Sequence, residues 1–168
     1  MAALEIDNPF WRFSLRVYAS PGVAEECIEA QDKFGIDVNV VLYTAWLGAT
    51  RGVILRDIDL QRIAATVESW SAGVVRPLRS VRRGLKQMPE IAVAEVQALR
   101  KRVADTELLA EQVEQAFLFR LTGEFGEPLS EPDGAAHKNV AAMLSLYGAD
   151  VDPIPLRRLL AAADVVRD

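Results

Sequence analysis

The sequence predicts an all-α, single-domain protein, and three observations carry that expectation. From Val38 to Leu47 only Asn39 and Thr44 are polar. That run is longer than most strands, with an N-cap residue (Asp37) before it and a glycine suited to a helix end (Gly48) after it. Elsewhere apolar residues recur at mostly three- and four-residue steps, the period of a helix face; the longest such stripe is Ala92, Val96, Leu99, Val103, Thr106, Ala110, Val113, Phe117 and Leu121. No alternating strand pattern of convincing length appears. A helix apolar on nearly every side must be surrounded by others. Residues 38–47 are therefore expected at the centre of an irregular or orthogonal bundle of about seven helices.

Each element has a local reason. Residues 1–7 read as a loose tail. Asn8-Pro9 starts the first helix, with Asn as N-cap and Pro at the first helical position, and Pro21-Gly22 breaks it. A second helix from about Pro21 to Phe34 turns Val23, Cys27, Ala30 and Phe34 inward, turns Glu25, Glu26, Glu29, Asp32 and Lys33 outward, and closes at Gly35. After the central helix, Asp57 or Asp59 caps a helix carrying Ile58, Ile63, Val67 and Trp70. Gly73 weakens that helix and Pro77 bends or ends it, leaving open whether 57–87 is one kinked helix or two. Residues 90–121 read as one long helix unless Asp105-Thr106 caps a second. The small residues at the centre of its stripe allow a close neighbour. Residues 122–132 form a loop, Asp133 caps a helix to Tyr147, 150–155 turn, and an amphipathic helix runs from Leu156 to about Val166.

Composition narrows the function classes. With 168 residues, 51% of them hydrophobic, the chain can build one proper core. A net charge of −5 makes general nucleic-acid binding a poor fit. A single cysteine, Cys27, permits no internal disulfide and fits a reducing compartment. The N-terminus lacks a basic segment followed by an apolar run, and no apolar stretch reaches the roughly 18 residues of a membrane helix. A cytoplasmic location is the resulting expectation.

The sharpest polar feature is basic. Arg76, Arg79, Arg82, Arg83 and Lys86 fall within eleven residues with no acid among them; on a helix Arg76, Arg79, Arg83 and Lys86 line one face. Such a row can hold the carboxylates of a partner or an anionic ligand, or it can pair with the glutamates of neighbouring helices. Glu107, Glu111 and Glu114 also share one helix face. Di-metal helical bundles add Glu-x-x-His pairs to such carboxylates; none exists here, so no metal site is expected. His137, the only histidine, has no Ser, Cys or Asp partner by motif, and Cys27 on an inward stripe reads as a buried small hydrophobe. Asn39 interrupts the apolar helix and, with Trp11, Gln31, Asp32, Tyr43 and Trp46, could line a small-molecule pocket. Core packing competes with that reading. Nucleotide-binding loops, hydrolase elbows and zinc signatures are missing, so no cofactor is expected.

Asn8-Pro9-Phe10-Trp11, Phe13-Ser14-Leu15, Tyr18, Pro21-Gly22-Val23, Asp37-Val38-Asn39 and Trp46 together resemble the N-terminal signature NPFWxFSLxxY…PGV…DVN of an uncharacterised proteobacterial family of proteins about this long. The likeness is specific over the first third of the chain and looser through the arginine-rich stretch. It implies a cytoplasmic bacterial protein and brings no activity with it.

Two functions are therefore expected. The first is a non-enzymatic interaction or adaptor protein, docking a protein partner or a second copy through the basic face 76–86. The alternative is a binder of a small or lipid-like ligand in the aromatic pocket. An enzyme using His137 or the Glu107 face ranks below both.

Overall fold

A computed structural model describes residues 3–126, 134–149 and 155–166. Its helices are α1 (Pro9–Tyr18), α2 (Val23–Phe34), α3 (Val38–Arg51), α4 (Asp57–Trp70), α5 (Arg76–Gln87), α6 (Ala94–Phe119), α7 (Ala135–Leu146) and α8 (Arg157–Val165). A π-helical segment, Ser71–Val75, joins α4 to α5 without a break, so the described residues form seven rods and no strand. The expected loop over 127–132, the Asp133 cap and the turn at 150–154 lie outside the described residues.

Local chemistry sets most boundaries. Asn8 Oδ1 accepts the Trp11 amide at 2.9 Å and opens α1. Asp37 Oδ1 accepts the Asn39 and Val40 amides at 3.0 and 3.4 Å and opens α3. Gly35 closes α2 at φ 66°. The chain before α1 is tied down: the carbonyls of Glu5 and Ile6 accept from Asn8 and Gln112.

Three boundaries depart from the sequence expectation. α2 begins at Val23, after Pro21-Gly22, because Gly22 sits at φ 77° and cannot be helical. α4 is opened by neither aspartate as N-cap. Arg56 holds that position, and Asp59, inside the first turn, reaches back to accept the Arg56 amide at 3.0 Å. α3 does not stop at Gly48; it runs to Arg51 and is closed by Gly52 at φ 63°.

The two open questions along the chain are also answered. Residues 57–87 make one rod, because the π turn widens the backbone where the Pro77 ring would meet the carbonyl four residues earlier. Residues 94–119 form one helix. Asp105 pairs with Lys101, and the Thr106 hydroxyl bonds the Arg102 carbonyl, so neither starts a new helix.

Every residue of α3 from Val38 to Gly48 is buried. It packs on α7, α6, α8, α1 and α4. Phe10, Tyr43, Trp46, Phe119 and Phe125 meet with ring centroids 5.1–6.4 Å apart at one side of it. The other end of the bundle differs. No residue from Arg76 to Thr106 is buried; α5 and the first half of α6 pack on each other and on the short turns beside them, forming a two-helix arm outside the core. Among the described residues no helix is long and apolar enough to cross a membrane.

Candidate functional site

The arm's base carries a dense set of charges. Arm residues 76–106 hold eight of the 19 Lys and Arg but only three of the 24 acids. α5 and α6 run antiparallel, so the arginines of one come alongside the glutamates of the other. Arg79 donates Nε–H to Glu107 at 3.1 Å, one terminal nitrogen to Glu111 at 2.6 Å and the other to Gln31 at 2.7 Å. Arg82 also holds Glu107, through two nitrogens. Arg83 reaches Asp32 on α2 at 2.8 Å, and Arg76 pairs with Glu68. Four of the five basic residues are thus engaged by carboxylates of the same chain. Lys86 has no ion-pair partner among the described residues.

These side chains line an open polar cleft of about 1200 Å³ between α2, α5 and α6. Gln31, Asp32, Arg76, Arg79, Arg82, Arg83 and Lys86 all face it, as do residues that the sequence does not mark as site candidates: Asp37, Ser71, Arg100 and Tyr147. Arg100 was one cation among several on a long helix. Nothing local marks it or Tyr147; only the tertiary fold brings them here.

The sequence-derived aromatic pocket is divided between two places. Gln31 and Asp32 belong to the cleft. Tyr43 and Trp46 are buried in the aromatic cluster, Tyr43 contacting Thr122 through its hydroxyl at 3.2 Å. Trp11 is half-buried on α1. Asn39 spends both halves of its amide on α6, donating to Glu114 Oε2 at 2.6 Å and accepting from Gln115 at 2.8 Å. Thr44 bonds the Val41 carbonyl within its own helix.

Behind the cleft the carboxylates differ by environment. Burial opposes the charge of Glu107, but hydrogen bonds from Arg82 and Arg79 outweigh it and hold the carboxyl below the ordinary range. For Glu111 burial wins over Arg79, and its pKa rises. Glu114 is fully buried with Asp37 nearby, and desolvation followed by that charge pushes it up to about 8. Asp37 accepts the Ser71 hydroxyl at 2.7 Å.

The pH consequence of Glu114 has a definite sign. A carboxyl that binds its proton more tightly folded than unfolded makes folding less favourable as pH rises between the two values, here from a glutamate's ordinary 4.5 to about 8. Glu114→Gln removes the ionisation. Urea unfolding should show the variant more stable than wild type by about 1–3 kcal/mol at pH 9 and nearly equal to it at pH 4. Equal gaps at both pH values would show that Glu114 does not titrate in this window.

The remaining reactive groups, Cys27 and His137, do not line the cleft. Cys27 is buried, and burial pushes its thiol up to about 12, which makes it a poor nucleophile. His137 is exposed in the first turn of α7, with Nδ1 3.8 Å from Asp164. Among the described residues no group of three or more His, Cys, Asp or Glu is placed to hold a metal ion.

A family model whose description is a protein of unknown function matches residues 9–118. That span runs from the start of α1 almost to the end of α6 and contains every cleft residue except Tyr147. No curated protein and no solved structure matches the chain.

Proposed function

This chain belongs to that family, DUF2390, and we propose that it is a non-enzymatic interaction protein of the bacterial cytoplasm that docks its partner through the helical arm 76–106. One observation carries the reading: 31 consecutive residues, Arg76 to Thr106, contain no buried side chain, yet they keep regular helices. An element that adds nothing to the core must be kept for another reason, and exposed apolar residues on an ordered scaffold suit a docking surface. Val81, Met88, Val93 and Leu99 are such residues, distributed over α5, the turn and α6.

The arginine row takes a different part in this reading from the one its sequence suggests. Arg76, Arg79, Arg82 and Arg83 are spent on Glu68, Glu107, Glu111 and Asp32. They latch the arm's base to the body and fix its direction, leaving its outer faces to the partner.

The test is Val81→Ser with Met88→Ser. Both sites are exposed, so the melting temperature should stay within a degree or two of wild type. Complexes that the wild-type chain forms in extract of its own host, read by native size analysis, should disappear. Complexes that persist unchanged with the substituted arm overturn the proposal.

A further inference from the structure

The outer side of the arm has a pattern that fits itself. Glu95, Leu99, Arg102, Thr106 and Leu109 follow one another at steps of four, three, four and three. That spacing places them on one line along α6, two leucines among three polar residues. All five are exposed, Leu99 at 50% and Leu109 at 52%. Neither Glu95 nor Arg102 has an ion-pair partner among the described residues, whereas their neighbours Lys101 and Asp105 pair with each other.

Resting on the arm as the docking element, we propose that its partner is a second copy of this chain. The first halves of two α6 helices pair antiparallel about a two-fold axis beside Leu99. The charges choose that direction. Glu95 lies one turn before Leu99 and Arg102 one turn after, so an antiparallel pair sets Leu99 against Leu99 and each Glu95 against the second copy's Arg102. A parallel pair would set glutamate on glutamate and arginine on arginine. A two-fold interface needs this reciprocity, each residue meeting its complement twice. The cleft-facing side of the arm is already occupied by its arginine contacts with the body, whereas this side is exposed.

Sedimentation velocity of the full chain over a wide concentration range, at low salt, tests the pairing. Wild type should pass from monomer to dimer as concentration rises. Arg102→Glu alone and Glu95→Arg alone each turn two attractive contacts into repulsive ones and should weaken the dimer about tenfold or more. The double variant Glu95→Arg with Arg102→Glu restores both pairs in reverse and should return the dissociation constant to within about twofold of wild type. All three sites are on the surface, and a matching helix spectrum confirms that each variant is folded. A chain that stays monomeric at every concentration overturns self-pairing and leaves the arm's docking role to its own test. A dimer indifferent to both single reversals overturns self-pairing through this seam; if that dimer also survives Val81→Ser with Met88→Ser, the arm reading falls with it.

Discussion

Gly48→Ala is expected to cost about 3 kcal/mol or more, a large share of the 5–15 kcal/mol that holds a typical domain together. The α3 helix crosses the start of α7 at this residue. A Cβ on Gly48 would lie 2.3 Å from the Ala136 amide nitrogen and 2.5 Å from its Cα. These are backbone atoms, so no rotamer change relieves the contact and the first turn of α7 must move away from α3. The melting temperature should fall by about 6–12 °C. Gly84→Ala makes the same chemical change with the opposite sign. It lies inside α5 with nothing within 4 Å of the added carbon, and should stabilise by about 0.5–1 kcal/mol. Thermal melts of the two variants side by side check both; equal effects would mean that the crossing is looser than described.

Asn139→Ala is expected to be nearly as damaging, at about 2–4 kcal/mol. Asn139 is buried on α7 and holds the segment between α3 and α4. Its Oδ1 accepts the Leu55 amide at 2.9 Å, and its Nδ2 donates to the Val53 and Thr44 carbonyls at 2.9 and 3.2 Å. Val53 and Leu55 lie in no helix, so truncation leaves their buried backbone groups without these partners. Asn139→Asp separates the two halves of the amide. A carboxylate keeps the acceptor for Leu55 and loses both donors, so the aspartate should be no better than alanine at pH 7 and should recover partly in acid as it gains a proton. Urea unfolding of both variants at pH 7 and pH 4 reads this. An aspartate variant as stable as wild type at pH 7 would show that the two donated bonds contribute nothing.

Both residues show where the sequence stops being sufficient. Gly48 has the look of a helix end, because glycine is favoured there for its backbone freedom. It is in fact a crossing point, needed for its missing side chain. Nothing within ten residues tells these apart, since the neighbour it meets lies nearly ninety positions away. Glu26 is similar. Its helix period assigns it to an outer face, yet its carboxylate accepts the Arg158 and Leu159 amides at 3.0 and 2.9 Å and so caps α8 from another helix. The small residues in the middle of the long stripe do promise a close neighbour at Ala110. Only the structure shows it to be Trp70, whose indole donates to the Ala110 carbonyl at 2.9 Å.

The candidate site was legible in part. Five basic residues without an acid among them, and three glutamates on one face, both stand out in the sequence as separate features. That the arginines and two of the glutamates meet, that Glu114 turns away to Asn39, and that a two-helix arm results could not be read there. Charge spacing along one helix fixes which residues share a face and leaves the facing helix undetermined.

What this sequence settled alone was local: an all-helical chain, a central rod hidden from water, caps at Asn8, Asp37 and Gly35, and a period that sorts inward from outward residues. Those follow from hydrogen bonds and hydrophobicity within a few turns. What the tertiary structure decided was pairing: which arginine holds which glutamate, which glycine admits a backbone, and which stretch stands clear of the core. Each depends on bringing together residues dozens of positions apart, and burial and charge then act on the pair rather than on either residue.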